Sequence, residues 1–233
     1  MLRACVGITV AALLLSGCEV GSMATGETRR ETQSIDLGKV DSGRVVIRMS
    51  AGELRVQSGT QKMLEANFAY NVPDWKPVVD YRANGQVGDL TISQPDRSGG
   101  FGNTVNTWEL KLSDQVSLDV TASLGAGEAD LRLGQMDLRS VEVNMGAGKL
   151  TMDLRGEPKR DYNVRVQGGV GEATLYLPRD VAIAARATGG IGQISASGLE
   201  KRDGIWVNPE RINAPITVHV DVKGGIGEIR LIR

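Results

Sequence analysis

A short glycine-marked unit recurs along the chain and organises its sequence. Its best-defined copies are Gly125-Ala126-Gly127-Glu128, Gly146-Ala147-Gly148-Lys149, Gly169-Val170-Gly171-Glu172, Gly190-Ile191-Gly192-Gln193 and Gly225-Ile226-Gly227-Glu228. Each copy precedes a run in which apolar and other residues alternate, such as Leu131-Arg132-Leu133 after the first. Fainter copies contain Gly52 and Gly88. A unit repeated at such a spacing is typical of a solenoid, in which each copy forms one coil.

The spacing and the alternation together predict the fold class. Between Gly127 and Gly192 the second glycines lie 21, 23 and 21 residues apart, which accommodates two strands and two turns. From Ile35 onward apolar residues alternate with polar ones, as half-buried strands require, and no segment has helical spacing. We therefore predict an all-β solenoid with coils of about 21–23 residues and hairpin inserts. Glycine permits positive φ and close backbone approach, so we expect the structural corner of each coil at Gly127, Gly148, Gly171, Gly192 and Gly227.

The first residues have the features of an export signal. A basic start at Arg3 precedes an apolar run, residues 6–15, that is too short for the ~20 residues of a membrane-spanning helix. The string Leu15-Ser16-Gly17-Cys18 resembles the lipobox of bacterial lipoproteins, which implies cleavage before Cys18 and lipidation of that cysteine. The alternative is an ordinary signal peptide with a chance cysteine.

These features divide the chain into four predicted regions. Residues 1–17 form the lipoprotein signal peptide, and residues 18–34, which are polar and without periodicity, form a lipidated flexible tether. Residues 35–115 contain N-terminal β-helix coils with inserts, and residues 116–233 contain the regular Gly-x-Gly repeats. We expect attachment to the membrane of a bacterial cell envelope through Cys18. Glu19 after the lipid cysteine favours the outer membrane if the host has two membranes.

The composition and motifs argue against several classes of function. The formal net charge of −1 and the absence of Lys/Arg runs argue against nucleic acid as a partner. The Gly-x-Gly units lack the third glycine and the following helix of a phosphate-binding loop. Their period is far from that of nine-residue calcium-binding repeats. His219, the single histidine, alternates with valines and is expected on the surface. We predict no catalytic residue, no metal site and no cofactor.

The aromatic residues concentrate in the long intervals between repeats. One interpretation is that they form small cores in the hairpins that cover the ends of the solenoid. The other is that Tyr70, Trp75, Phe101 and Trp108 form a contact surface for a protein or glycan partner, because aromatic residues anchor such interfaces. Without a cover, the last coil would expose open strand edges. We therefore expect Trp206 to fold across the C-terminal end as a cap.

One longer string carries a resemblance to a known family. It runs Gly168-Gly169-Val170-Gly171-Glu172-Ala173-Thr174-Leu175-Tyr176-Leu177-Pro178-Arg179-Asp180-Val181 and is followed by Gly189-Gly190-Ile191-Gly192-Gln193-Ile194. This pattern resembles the toast-rack family of candidate adhesins and is similar to the cell-wall-active-antibiotics-response domain of LiaF-like proteins. The resemblance implies a right-handed parallel β-helix and brings no catalytic residues with it.

Three functions remain open at this point. The first is a non-enzymatic envelope lipoprotein that displays a rigid β-helix for adhesion or scaffolding. The second is an envelope-stress sensor or modulator that acts through a membrane signalling partner. The third, a polysaccharide-processing β-helix enzyme, would need a groove of carboxylates and basic residues that we cannot assemble from this sequence.

Overall fold

Bent β-strands stacked side by side make up most of the protein. The computed structural model describes residues 25–95 and 103–233, so Cys18, Phe101 and the predicted signal peptide lie outside the described residues. The described residues form one 15-stranded open sheet with two short 3₁₀ turns, Pro73–Trp75 and Pro209–Arg211. The strands are β1 (Arg29–Ile35), β2 (Ser42–Thr60), β3 (Leu64–Tyr70), β4 (Val78–Asn84), β5 (Val87–Ser93), β6 (Asn106–Ser113), β7 (Ser117–Arg132), β8 (Asp137–Asp153), β9 (Tyr162–Tyr176), β10 (Ala182–Thr188), β11 (Ile191–Ser197), β12 (Glu200–Arg202), β13 (Ile205–Val207), β14 (Thr217–Lys223) and β15 (Ile226–Ile232).

Each coil of the stack has two arms that meet at a corner. The long strands β2, β7, β8 and β9 run through the corner, so their first halves lie in the first arm and their second halves in the second arm. The other coils use separate strands for the two arms: β5 and β6, β10 and β11, and β14 and β15. A turn at residues 133–136, in which the Met136 N–H donates to the Leu133 carbonyl at 2.9 Å, connects β7 to β8. The all-β solenoid expected from the alternation is therefore present.

The order of the coils in space differs from their order in the chain. The coil of β5 and β6 lies outside β2, and β2 in turn contacts β7. At the other end, β14 and β15 lie between β9 and the coil of β10 and β11. Sequential stacking, in which each coil lies on the preceding coil of the chain, is thus interrupted at both ends. At the N-terminal end the chain runs from β2 outward to the β5–β6 coil and then past β2 to β7. At the C-terminal end it passes one coil position and returns to fill it with β14 and β15.

A buried asparagine holds the connecting segment at the C-terminal end. The Asn208 side chain accepts a hydrogen bond from the Ile183 N–H at 2.8 Å and donates one to the Val181 carbonyl at 2.8 Å. It thereby satisfies backbone groups at the start of β10, as a neighbouring strand would. The chain then returns through β14 and β15, and the Arg233 N–H donates to the Ser197 carbonyl at 3.1 Å. The last coil in the chain is consequently an inner coil of the stack.

The core lies between the two arms and follows the alternation of the sequence. The inward residues of the first arm include Val120, Val143 and Val164, and those of the second arm include Leu131 and Met152, all buried. His219 lies on the outer face of β14, between buried Val218 and Val220, as its position in the pattern predicted. Among the residues expected inside, Ile194 differs, because it remains 36% exposed at the end of the stack.

The glycines of the corner stack directly on one another. In spatial order the register aligns Gly52, Gly127, Gly148, Gly171, Gly227 and Gly192. All six have φ between +131° and +141°, a region that L-residues avoid. A β-carbon at Gly148 would also overlap the carbonyl oxygen of Gly127. A β-carbon at any other glycine of the ladder would likewise overlap a carbonyl oxygen of the coil before it in space. The ladder therefore needs glycine for two independent reasons.

Gly88, in one of the fainter copies of the unit, does not belong to this ladder. It pairs with Gly43 in the first arm, where its Cα faces the ring and hydroxyl of Tyr81. The carbonyl of Asn106 takes the place beside Gly52 that a corner glycine would occupy. In this coil residues 94–105 separate β5 from β6, whereas only two residues separate β10 from β11 and β14 from β15, so no single glycine forms its corner.

The predicted tether is shorter than the sequence suggested. Residues 29–34 were expected to be unstructured, yet they form most of β1, which pairs antiparallel with β3. Glu31 fastens this strand: its carboxylate accepts hydrogen bonds from the Tyr70 hydroxyl at 2.5 Å and the Lys76 ammonium at 3.0 Å. Because β1 is stabilised largely by polar contacts, its sequence lacks the apolar alternation from which the other strands were predicted.

A single sheet also runs through both of the predicted regions that meet at residue 115.

The corner ladder predicts a steep stability penalty for any side chain. We expect Gly148→Ala to lower the free energy of unfolding by more than about 4 kcal/mol or to prevent folding, because it combines an unfavourable φ with backbone overlap. Gly59 is the matched control: its φ is +114°, yet a β-carbon there would meet nothing within 4 Å. Gly59→Ala should therefore cost only about 1–3 kcal/mol. Urea unfolding followed by circular dichroism measures both, and equal losses would contradict the overlap argument.

The Glu31 contacts predict a pH dependence of stability. The hydrogen bond from Tyr70, followed by that from Lys76, lowers the pKa of Glu31 in the folded protein. A lowered pKa means that the stabilisation is present above the ordinary glutamate pKa and is lost as pH falls through the folded-state value. In urea titrations at several pH values, Glu31→Gln should lose stability near neutral pH and show a weaker acid dependence than the wild type. Glu157→Gln, on an exposed turn, is the control, and an unchanged acid dependence in Glu31→Gln would refute the linkage.

Candidate functional site

The predicted aromatic contact surface is not available for binding. Tyr70 and Trp108 are fully buried and Trp75 is 5% exposed, so the interpretation of these three as a contact surface is wrong. Trp108 packs edge-on against Phe68, with ring centroids 5.5 Å apart, and its Nε1–H donates to Asn106 at 2.9 Å. These rings fill the core at the β5–β6 end of the stack, because the outermost coil needs its own apolar cover. Phe101 lies outside the described residues.

Trp206 lies near one end of the stack, although not on the last coil of the chain. It is partly buried against the core, and the Lys201 ammonium lies 5.3 Å from its ring centroid. Its strand β13 pairs with Ala184 and Ala185 of β10. Trp206 therefore covers the first arm of the β10–β11 coil. The prediction that it lies across the final coil, at the C-terminal end, is wrong.

Metal-ligating side chains do not cluster in the described part of the chain. Residues 25–95 and 103–233 contain no cluster of three or more His, Cys, Asp or Glu side chains able to hold a metal ion. Within the same ranges no helix has the length and hydropathy of a membrane span. The polar side chains on the outer faces of the arms mostly form exposed ion pairs, such as Arg132 with Asp130 at 2.9 Å. Such pairs contribute little stability individually.

Exposed apolar side chains concentrate at one place, the corner of the last three coils in space. The middle residues of the Gly-x-Gly units stack in the order Ala51, Ala126, Ala147, Val170, Ile226 and Ile191. Val170, Ile226 and Ile191 are 54%, 52% and 71% exposed. We call these three residues the apolar ridge. It occupies the corner of β9, of the β14–β15 coil and of the β10–β11 coil.

Beside the apolar ridge the core is incomplete. In three neighbouring coils the last inward position before the corner holds a buried Met49, Leu124 or Met145. In the next three coils that position is occupied by Gly168, Gly224 and Gly189. An apolar cavity of about 70 Å³ opens here, and the ridge residues form part of its wall. One layer of side chains is thus missing over three coils.

The space left by the missing side chains is least filled at Gly168 in β9. In the β14–β15 and β10–β11 coils, an isoleucine partly fills the space of the missing side chain. The Ile229 Cδ1 lies 3.2 Å from where a β-carbon of Gly224 would be, and Ile194 approaches Gly189 in the same way. In β9 the residue equivalent to these isoleucines is Ala173. A β-carbon at Gly168 would contact nothing within 4 Å. The space therefore centres on Gly168 and Ala173, with Met145 and Leu150 as its floor on the β8 side.

The charged groups near the ridge largely neutralise one another. Glu172 and Glu228 follow the corner glycines on the outer face, and Arg230 forms an ion pair with both of them, at 3.8 Å to Glu172. The hydrogen bond with Glu228 is the main cause that raises the pKa of Arg230. What the corner offers a partner is therefore chiefly apolar contact on a rigid backbone.

The copies of the glycine unit differ in sequence at two positions, and this difference indicates the site. Two copies of the unit read Leu-Gly-Ala-Gly and Met-Gly-Ala-Gly, starting at Leu124 and Met145. The other three read Gly-Gly-Val-Gly or Gly-Gly-Ile-Gly, starting at Gly168, Gly189 and Gly224. The doubled glycine and the larger middle residue occur together. Comparing the copies position by position, instead of averaging them, would have indicated a gap and an exposed ridge.

The missing side chain at β9 predicts a stabilising substitution. Gly168→Met restores the residue type that fills the same position in β8, and we expect it to raise the free energy of unfolding by about 0.5–2 kcal/mol. Gln167→Met, on the exposed side of the same strand, should change it by less than about 0.5 kcal/mol. Thermal and urea unfolding of both variants measure the difference. A destabilised Gly168→Met protein would show that the space is already closed in solution.

Comparison with known proteins agrees with this architecture. A solved structure of a candidate cell adhesion protein from Clostridium sporogenes superposes with a TM-score of 0.84 at 27% sequence identity, covering 88% of this chain and 99% of that chain. A candidate adhesin from Bacteroides fragilis is 8% identical, with a TM-score of 0.34, 88% coverage of this chain and 97% of the other. No curated protein matches the chain.

A family model assigns the greater part of the sequence. The model described as the N-terminal domain of toast_rack, DUF2154, matches residues 24–176. The match runs from just before β1 to the end of β9 and includes the corner ladder up to Gly171. It therefore covers well over half of the chain, and the chain belongs to the toast-rack family.

Proposed function

We propose that this protein is a non-enzymatic adhesin or scaffold of the bacterial cell envelope that binds its partner at the apolar ridge. A lipid on Cys18 attaches it to the membrane, which is the outer membrane if the host has two. The fold that presents the ridge is a right-handed β-helix with coils of 21–23 residues. The partner is a protein or glycan, and an apolar protein surface suits the ridge better than a polar glycan does.

The exposed apolar ridge is the observation that carries this proposal. Val170, Ile226 and Ile191 are each more than half exposed and lie side by side, whereas Val78 and Ile212, the other large apolar residues of the described chain exposed to that extent, lie outside this cluster. Clustered exposed apolar residues typically mark interaction sites. The corner glycines hold the backbone beneath them in a fixed register, so binding there would cost little ordering of the protein.

The comparison with the Clostridium sporogenes structure supports the same class of function. That protein is named as a candidate cell adhesion protein, and the alignment covers nearly the whole of both folded chains at 27% identity. A binding role accounts for the exposed ridge.

The position of the ridge suits a tethered adhesin. The described chain begins beside β1, at the β5–β6 end of the stack, where the Gly26 N–H donates to the Asn71 carbonyl at 2.8 Å. The ridge starts at the fifth coil in space and ends at the seventh, about 19–29 Å from the first coil at ~4.8 Å per coil. Anchoring through Cys18 would let the protein hold the ridge away from its own membrane.

Adhesion of intact cells to surfaces of defined chemistry tests this proposal. Cells that produce the wild type should adhere more strongly to an alkyl-coated surface than cells without the protein, and Ile226→Asp should abolish the difference. Cys18→Ser should also abolish it, with the protein moving from the membrane to the soluble fraction. The matched control is Ala126→Asp, which places the same charge at the same ladder position two coils away from Val170.

The results separate the components of the proposal. Equal adhesion of the wild type and Ile226→Asp would refute the ridge as the contact surface. Loss of adhesion in Ala126→Asp as well would indicate a nonspecific effect of added charge. A Cys18→Ser protein that stays in the membrane fraction would refute the lipid anchor independently of the ridge.

A further inference from the structure

Four strands of the described sheet have a partner on one side only: β1, β4, β11 and β12. An unpaired edge attracts other strands, and proteins commonly protect it with charged residues. Three of the four edges follow this rule, with Arg29, Arg30 and Glu31 in β1, Asp80 and Arg82 in β4, and Glu200, Lys201 and Arg202 in β12. The seven residues of β11, Ile-Gly-Gln-Ile-Ser-Ala-Ser, contain no charge. Its edge is the unprotected one.

The backbone of β11 offers regular hydrogen-bonding groups on that edge. The Ile191 N–H donates to Gly225 at 3.0 Å, and the Ser197 carbonyl accepts from Arg233 at 3.1 Å, so both residues face β15. Because backbone groups alternate along a strand, the N–H and C=O of Gly192, Ile194 and Ala196 face the open edge. The β12–β13 hairpin covers β10 in the first arm, and no described strand pairs with β11 there.

The core also ends at this strand without being closed. The inward ladder Leu54, Ala129, Leu150, Ala173 and Ile229 ends at Ile194, which is 36% exposed, whereas Ile229 beside it is 5% exposed. A further strand on this edge would cover Ile194 with its own inward side chain. That strand must be uncharged at the positions facing Ile194 and should place an apolar residue opposite it.

We propose that the strand is β11 of a second copy, paired antiparallel about a two-fold axis at Ile194. In this register Ile194 faces Ile194 of the other copy, Gly192 faces Ala196 and Gln193 faces Ser195. The absence of charge means that no like charges meet, as they would if the arginines of β1 were juxtaposed. An isologous pair of this kind uses both open edges and closes the assembly as a dimer. The dimer joins two stacks at their β10–β11 ends.

A charge-swap series on the outer face of β11 tests the register. The exported chain carrying Cys18→Ser, which avoids shared detergent micelles, should sediment as a concentration-dependent dimer. Gln193→Lys/Ser195→Lys puts like charges directly opposite each other twice and should raise the dissociation constant by about tenfold or more. Gln193→Glu/Ser195→Lys puts opposite charges in the same places and should restore the dimer. Thr151→Lys, at the ladder position of Ser195 in the inner strand β8, should leave it unchanged.

A disulfide trap provides a second readout. Ile194→Cys in the same background places two thiols opposite each other at the two-fold axis, so mild oxidation should convert the dimer into a covalent one. A wild-type stack that remains monomeric at all concentrations would overturn the proposal. So would a dimer that tolerates the double lysine variant or fails to cross-link at position 194, because its interface would lie elsewhere. Circular dichroism of each variant shows that the fold itself is retained.

Discussion

The close approach of backbones at the corner glycines is the constraint on which the rest of this structure depends. Each glycine of the ladder lies so near the carbonyl of its neighbour that no β-carbon fits, and each has a φ that other residues avoid. This contact holds successive coils in one register. The register in turn aligns the inward residues of both arms, so that the core is continuous from coil to coil.

The same constraint explains where a binding surface can arise. At a corner whose backbone cannot move, the only adjustable elements are the residue before the Gly-x-Gly unit and the residue within it. In β7 and β8 a large inward residue and a small middle residue close the corner. In β9 and its two outer neighbours, glycine before the unit and valine or isoleucine within it open the corner to solvent. A structural repeat thereby acquires a local surface without any change of fold.

Much of the architecture could be read from the repeat, and the errors have a common origin. The corner glycines, the strands and the outward position of His219 depend on local pattern, which the chain displays directly. The aromatic residues, the place of the Trp206 cap and the role of Gly88 depend on which coils are neighbours. Trp108 looked like a candidate contact residue because it lies in an irregular interval, yet such intervals form the ends of the stack and need apolar cover. Polar β1 was missed because hydrogen bonds and an ion pair fasten it.

Alternation and glycine spacing in the chain alone specified bent strands, a two-armed core and a corner at each repeat, because period-two burial and positive φ are local requirements. The order of the coils was decided only by the folded structure. Segments such as residues 198–216 are long enough to pass a coil position, and the free energy of closing a longer loop rises slowly with its length. The β14–β15 coil is thereby paired on both sides, with β9 and with the β10–β11 coil. The apolar ridge and the open edge of β11 exist because of that order, since it brings the three open corners together and leaves an uncharged strand outermost.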